Sequence, residues 1–285
     1  MAEPRFDEVT GETTTGHSYD GIEELNTPLP RWWLWTFYAT IVWGVGYTIA
    51  YPAWPMINGA TAGLLGYSTR GEVAAEIEAH EAQNAALVAE LNGTELTALL
   101  PGDDLHRYAV GRGGAVFRAN CSQCHGSGAA GAVGYPNLLD NDWLWGGSIE
   151  EIAYTVRHGI RNEQDWDAHY SEMPAFGADE ILTEAEIAAV VSHIQTWPEG
   201  DTTSLGATVY MDNCASCHGD AGKGDVSFGA PNLTDRIWLY GGDTASLIET
   251  VTNARFGVMP AWGMRLNEED VRAVSVYVHS LGGGE

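Results

Sequence analysis

The chain has 285 residues, 45% hydrophobic and 18% charged, with 11 Trp and 12 Tyr, so it can bury a core of roughly two domains and is not disordered throughout. Its 39 acidic residues against 13 basic ones leave a net charge of −26, and Lys223 is the single lysine. Such a surface repels phosphate backbones, which argues against nucleic acid as a partner, and it suits either a basic protein partner or a high-salt habitat.

Residues 1–31 read as a polar N-terminal tail, with seven Asp and Glu against Arg5 and Arg31. From Trp32 to Thr69 there is no charged residue, and the run WWLWTFYATIVWGVGYTIAY predicts a membrane-spanning helix within an anchor at 32–55. Trp32, Trp33 and Trp35 at one end and Tyr51 and Trp54 at the other resemble the aromatic belts of a bilayer span. Pro28 and Pro30 precede the helix, and Pro52 and Pro55 end it. A cleaved signal peptide fits poorly, because the lead is acidic and the exit carries bulky Trp and Pro. Residues 56–106 read as a linker followed by a helix over Thr69–Leu91, opened by a Thr69…Glu72 capping box and carrying Val73, Ile77, Leu87, Val88 and Leu91 on one side.

The remainder is an internal repeat, predicted as two domains at 107–198 and 199–285. Gly113 to Cys121 aligns with Gly206 to Cys214. Pro136-Asn137-Leu138 and Trp143-Leu-Trp145-Gly-Gly return as Pro231-Asn232-Leu233 and Trp238-Leu-Tyr240-Gly-Gly, and Met173-Pro174-Ala175-Phe176 returns as Met259-Pro260-Ala261-Trp262. The second copy is shorter, chiefly between the Trp/Tyr-Gly-Gly element and the Met-Pro pair. Thr183 with Glu186, and Asn267, are N-caps for the last helix of each copy. The fold class expected is all-α: one N-terminal transmembrane helix followed by two tandem helical domains.

All four cysteines fall in two copies of C-x-x-C-H, Cys121-Ser-Gln-Cys124-His125 and Cys214-Ala-Ser-Cys217-His218. This composition gives roughly 0.002 copies of that pattern by chance. Thiols at i and i+3 lie on one side of a helical turn, where each can add to one vinyl group of a haem while the following His coordinates the iron. A zinc site would need further Cys or His ligands nearby, and a thioredoxin-like pair does not need the trailing His. The cofactors implied are two covalently bound c-type haems on Cys121, Cys124, Cys214 and Cys217, with His125 and His218 as axial ligands, and the two tandem helical domains are accordingly expected to be class I cytochrome c domains.

Met173 and Met259, each followed by Pro at matching places of the repeat, are the candidate sixth ligands; Met264 competes with Met259, and Met211 suits helix packing. Thioether ligation raises the potential and closes the coordination shell, which suits electron transfer and not peroxide or oxygen chemistry. The default is that each domain supplies its own Met, although the sequence does not forbid an exchange between the paired domains. Arg157, Arg255, Trp145 and Tyr240 are candidate propionate contacts, each also explained by exposure or core packing. His158, His169 and His193 have no repeat counterparts and read as surface or structural residues, with His158 the one alternative ligand to test. Asn120 and Asn213 precede each motif and suit helix-end hydrogen bonding.

The segment Tyr19-Asp20-Gly21-Ile22-Glu23-Glu24-Leu25-Asn26, with Leu29-Pro30-Arg31-Trp32-Trp33, resembles the N-terminal region of the dihaem subunit III, FixP/CcoP type, of cbb3-type cytochrome c oxidases. The anchor, the Tyr51-Pro52-Ala53-Trp54-Pro55 exit and the tandem C-x-x-C-H domains extend that resemblance over essentially the whole chain. It implies a subunit that accepts electrons from a donor cytochrome c and relays them to a monohaem cytochrome c subunit, oxygen being reduced in a separate catalytic subunit with haem b and copper. It also implies Cys121, Cys124, His125 and Met173 around one haem and Cys214, Cys217, His218 and Met259 around the other. The corresponding location is the inner membrane, single-pass, with the N-terminus cytoplasmic and the haem domains periplasmic. The competing functions are a free-standing membrane dihaem carrier for another periplasmic complex, against which the Asp20–Trp33 motif speaks, and a dihaem peroxidase, against which two Met-Pro elements speak.

Overall fold

In the computed structural model, which describes residues 3–99, 101–197 and 200–283, the acidic segment expected as a polar tail folds into a three-stranded antiparallel sheet. Its strands are β1 (Phe6–Asp7), β2 (Glu12–Tyr19) and β3 (Ile22–Leu25), in the order β1-β2-β3. Tyr19 pairs with Ile22 around Asp20-Gly21, whose φ angles of 51° and 86° are those of a two-residue hairpin turn. Thr14 is buried beneath it, and its hydroxyl accepts the Arg5 N–H at 2.9 Å. The all-α expectation therefore holds for the haem region and not for the N-terminus, where Asp-Gly turn chemistry and the Thr-rich β2 favour a hairpin.

Helix α1 spans Arg31–Ala50, and Tyr51 leaves it in extended conformation. None of its residues is buried, and only Arg31 is charged. No helix among the described residues is long and apolar enough to cross a membrane; the Trp, Tyr, Thr and Gly residues of α1 hold its hydropathy down. The segment after it contains a small hairpin of β4 (Pro55–Met56) and β5 (Gly59–Ala60) where a plain linker was expected. Helix α2, Thr69–Gly93, matches the predicted helix, but its cap differs. Ser68 Oγ accepts the Gly71 N–H at 3.2 Å, while the Glu72 carboxylate takes the Tyr67 hydroxyl at 2.7 Å, so no Thr69–Glu72 box forms.

The chain divides into two units, Met1–Gln83 and Asn84–Glu285. The second holds both repeats as helices: α3 (Asp104–Asn120), the one-turn α4 (Ser122–His125), α5 (Ile149–His158) and α6 (Glu184–Gln195), then α7 (Leu205–Asn213), the one-turn α8 (Ala215–His218), α9 (Thr244–Asn253) and α10 (Glu268–Ser280). Local signals set these helices as read from sequence. Thr183 and Glu186 complete a capping box on α6, and Asn267 caps α10 by accepting the Asp270 N–H. Ser148 and Glu151 form a further capping box on α5.

The packing is crossed between the repeats. The first helix of copy one, α3, packs on the last helix of copy two, α10, and α7 packs on α6. One core joins Phe117, Ile152 and Val156 to Val271, Val274 and Val278 of α10. A second joins Val209, Tyr210 and Val251 to Ile187, Val190 and Val191 of α6, and a third joins Leu91, Leu96, Leu105 and Ala109 to Ala273 and Val276 of α10. Gly113 and Gly206, equivalent in the repeat, make the crossings possible. A Cβ at Gly113 would overlap the Ala273 carbonyl and meet Tyr277 Cβ at 2.8 Å; one at Gly206 would overlap the Ala189 carbonyl and meet His193 Cβ at 2.9 Å. Each globule is thus made of residues from both expected domains, with the apolar faces of α6 and α10 seated on the glycine grooves of the opposite repeat. The expected boundary at 198/199 lies outside the described residues.

Candidate functional site

Each C-x-x-C-H motif forms a one-turn helix after the first helix of its repeat. The Cys124 and His125 N–H groups both donate to the Cys121 carbonyl, at 3.1 and 3.0 Å, and Cys217 and His218 do the same to Cys214 at 3.2 and 3.0 Å. Cys121 and Cys214 are half-buried, Cys124 and Cys217 exposed. Burial pushes the Cys121 and Cys214 thiols up to about 11, so neither is a thiolate at neutral pH, unlike the nucleophile of a dithiol redox enzyme.

The imidazoles are fixed by the Pro-Asn-Leu elements, whose role the sequence left open. His125 Nδ1 lies 3.1 Å from the Pro136 carbonyl and His218 Nδ1 lies 3.0 Å from that of Pro231. A carbonyl can only accept, so Nδ1 carries the proton and Nε2 keeps a free lone pair. Burial lowers both histidine pKa values, with the backbone bond opposing, and so favours the neutral imidazole that a metal needs. Two thiols that can attach a haem covalently and a neutral imidazole that can bind its iron are what a c-type haem requires, and the residues fit that group.

The thioethers stand where the crossed packing puts them. Met259 packs on the core that Cys121 also touches, with Phe117 and Ile152. Met173 packs on the core that Cys214 touches, with Val209 and Tyr210. Each Met thus packs beside the C-x-x-C-H motif of the opposite repeat, because the loops carrying Met173 and Met259 run on into α6 and α10, which belong to the opposite globule. Met259 is held further by a reciprocal main-chain pair with Ile160, both bonds 3.0 Å. Met264 and Met211 are both exposed, so Met211 is not the helix-packing residue expected of it.

The weaker candidates occupy defined places. Trp145 is buried and stacks on His169 with ring centroids 4.4 Å apart. Tyr240 lies under the Arg255 guanidinium at 4.9 Å, and Arg255 also donates to the Ser246 carbonyl at 2.6 Å. Burial, the largest cause, pushes the Tyr240 hydroxyl up. Arg157 is an ion-pair partner of Glu268 at 2.5 Å, at the start of α10. His158 Nδ1 meets Asp165 at 3.0 Å, His169 Nε2 meets Thr155 Oγ1 at 3.0 Å, and His193 packs edge-on to Trp197. Asn120 and Asn213 each donate to a carbonyl one turn back, Val116 and Val209, at 3.0 Å. Sequence reasoning missed the Pro136 and Pro231 carbonyls, although the recurrence of Pro-Asn-Leu was a signal for both.

Comparison with known proteins agrees with this arrangement. Residues 11–58 match the family described as the N-terminal domain of cytochrome oxidase-cbb3, FixP. Residues 109–194 and 201–278 match cytochrome c oxidase, cbb3-type, subunit III. The chain is 60% identical over 276 residues to the cbb3-type cytochrome c oxidase subunit CcoP of Cereibacter sphaeroides, covering 95% of each chain. It is 49% identical to the FixP subunit of Bradyrhizobium diazoefficiens, covering 98% of each. It is 53% identical to CcoP of Rhodobacter capsulatus, covering 95% of this chain and 96% of the relative. With the thiol, imidazole and thioether sets in place and both regions matched, the chain belongs to the subunit III family, CcoP/FixP type, of cbb3-type cytochrome c oxidases.

Proposed function

We propose that this subunit is a membrane-anchored dihaem electron carrier that accepts electrons from a donor cytochrome c and relays them toward the oxygen-reducing subunit of its oxidase. Cytochrome c domains of this family carry covalently bound c-type haem, and the other oxidase subunits are its partners. Cys121, Cys124, His125 and Met259 would hold one haem; Cys214, Cys217, His218 and Met173 would hold the other. Bound there, each haem supplies a one-electron couple with no open coordination position.

The chain's own groups prepare that couple. The Pro136 and Pro231 carbonyls fix the imidazole tautomer and raise its basicity. The crossed cores set apolar side chains against each Met, and apolar surroundings favour the less charged, reduced iron. The observation that carries the reading is the presence of each thioether in the core of the opposite repeat's C-x-x-C-H motif.

A chain with Cys214→Ala and Cys217→Ala retains only the haem on Cys121 and Cys124. Adding Met259→Ala should abolish its thioether-to-iron charge-transfer band, and adding Met173→Ala should not. The reverse result restores the within-repeat ligand sets and overturns the exchange.

For the anchor, α1 is about 30 Å long, the thickness of a bilayer core. It exposes Trp35, Val42 and Trp43, buries none of its residues, and is uncharged beyond Arg31. Its aromatic content lowers its hydropathy and also suits interfacial seating. Together with membership of a membrane oxidase family, this supports a single pass with the N-terminal sheet cytoplasmic and the haem domains periplasmic. Alkaline carbonate extraction of membranes, which strips peripheral proteins, should leave the chain in the pellet; release into the supernatant would overturn the anchor.

A further inference from the structure

Between α5 and Met173, the first repeat carries a segment that the second lacks, and Arg161 sits at its start. The residue adopts left-handed φ, 51°, a conformation that a non-glycine side chain rarely holds without compensation. Its N–H donates to the His169 carbonyl at 2.7 Å, which closes the segment into a loop. The half-buried side chain then reaches two other strands of chain. Arg161 Nε donates to the Ser171 carbonyl at 2.9 Å, and Arg161 Nη1 donates to the Gly257 carbonyl at 3.2 Å. The guanidinium also lies 5.4 Å from the centre of the Phe256 ring.

Ser171 stands two residues before Met173, and Gly257 stands two residues before Met259. One fork-shaped side chain therefore ties together the two loops that deliver the thioethers to opposite haems. The two loops do not depend on it equally. Met259 is also locked to Ile160, the neighbour of Arg161, by the reciprocal main-chain pair at 3.0 Å. Met173 lacks such a pair among the described residues; on its N-terminal side Ser171 is held at its carbonyl by Arg161 Nε and by its own hydroxyl, which donates to the Phe228 carbonyl.

We propose that Arg161 is a positioning residue for Met173, bracing the loop that delivers this thioether against the loop that carries Met259. The proposal rests on the reading of Met173 and Met259 as ligands. A guanidinium is needed because its separate nitrogens serve two carbonyls in a fixed plane, whereas a lysine ammonium is a single point charge on a flexible stem.

The test uses the full chain in its native oxidase, comparing Arg161→Leu and Arg161→Lys with Met173→Ala and Met259→Ala as references. The readouts are the thioether-to-iron charge-transfer bands and the two haem midpoint potentials, at matched haem content. Arg161→Leu should lose or weaken the signature that Met173→Ala removes and lower that haem's potential, with the Met259-dependent signature retained. Arg161→Lys should not restore the lost signature, and it carries the test alone where the Leu variant fails to accumulate. Parental bands and potentials in the Lys variant, or in both variants, overturn the role of Arg161 while leaving the ligand assignment intact. If Met173→Ala itself leaves both signatures unchanged, the ligand reading and this proposal fall together.

Discussion

Gly113 on α3 lies so close to the carbonyl of Ala273 on α10 that a single Cβ would overlap it. This contact joins the first helix of one repeat to the last helix of the other, and it recurs between Gly206 and Ala189. Backbone cannot yield as a side-chain tip does, so even a small added group must push the helices apart. Gly113→Val should destabilise the second unit by about 1–3 kcal/mol, as overpacking of a close contact does. Gly111, on the same helix with nothing within 4 Å of its Cβ position, is the control; Gly111→Ala should be neutral or stabilise by about 0.5–1 kcal/mol. Denaturant unfolding of the two variants checks both.

Arg112 makes a second link between these helices, a polar one. Its Nε lies 2.7 Å from Asp270 Oδ1 and its Nη2 lies 3.5 Å from Glu269 Oε1, with the partners largely shielded from solvent. Both acids stand in the first turn of α10, where they also complement the helix dipole. Arg112→Met keeps much of the stem's packing and removes the charge; it should cost about 1–3 kcal/mol, the range for charge-assisted bonds. A double-mutant cycle with Asp270→Asn should give a coupling energy of at least about 0.5 kcal/mol, because the two groups touch.

The repeat, its two C-x-x-C-H turns and its terminal helices were legible because they rest on local signals: C-x-x-C-H spacing, Thr183 and Glu186 as a capping pair, Asn267 as a cap. What was not legible is which copy of a repeated helix packs on which. Ile187, Val190 and Val191 on α6 and Val271, Val274 and Val278 on α10 present similar apolar faces, and Gly113 and Gly206 offer similar grooves. Either pairing satisfies the pattern, so the choice is made by chain path and not by composition. The N-terminal sheet was missed for a different reason. Its net acidity reads as a solvated tail, yet Asp20-Gly21 between Tyr19 and Ile22 is a hairpin signal that outweighs it. The Pro136 and Pro231 carbonyls were hidden because a backbone acceptor has no residue type of its own.

Asp142 supplies a pH dependence. Burial, with the neighbouring charges of Asp235 and Asp140, pushes its carboxyl from an ordinary 3.8 up to about 6. A raised carboxyl pKa means that the folded chain holds a proton which the unfolded chain has already lost. The resulting stability is fully present below about pH 3.8 and is lost as pH rises through about 6. At pH 7.5 the folded state carries an ionised, half-buried carboxylate that faces like charge. Asp142→Asn, neutral at every pH, should raise the thermal midpoint above the parent's at pH 7.5, and the gap should close by pH 4. A gap that is independent of pH would assign the gain to the amide's hydrogen bonds and not to relief of charge.

Val274 gives the sharpest separation between crossed and contiguous domains. It is 1% exposed on α10, near the C-terminus, in one core with Phe117, Ile152 and Val156 from the first repeat. Val274→Asp puts an unpaired charge into that core, at a cost of about 3–5 kcal/mol. Because α10 closes the first repeat's globule, the damage should appear far from the substitution in sequence. Hydrogen exchange should lose protection over residues 104–120 and 149–158, with residues 205–213 and 244–253 of its own repeat retaining theirs. The equivalent change on α6, Val190→Asp, should give the mirror image: α6 buries Val190 against Val209 and Tyr210, so α7 and α9 should open while α3 and α5 stay protected. If each substitution instead opens the helices of its own repeat, the two haem globules are contiguous in the chain and the crossed architecture is wrong.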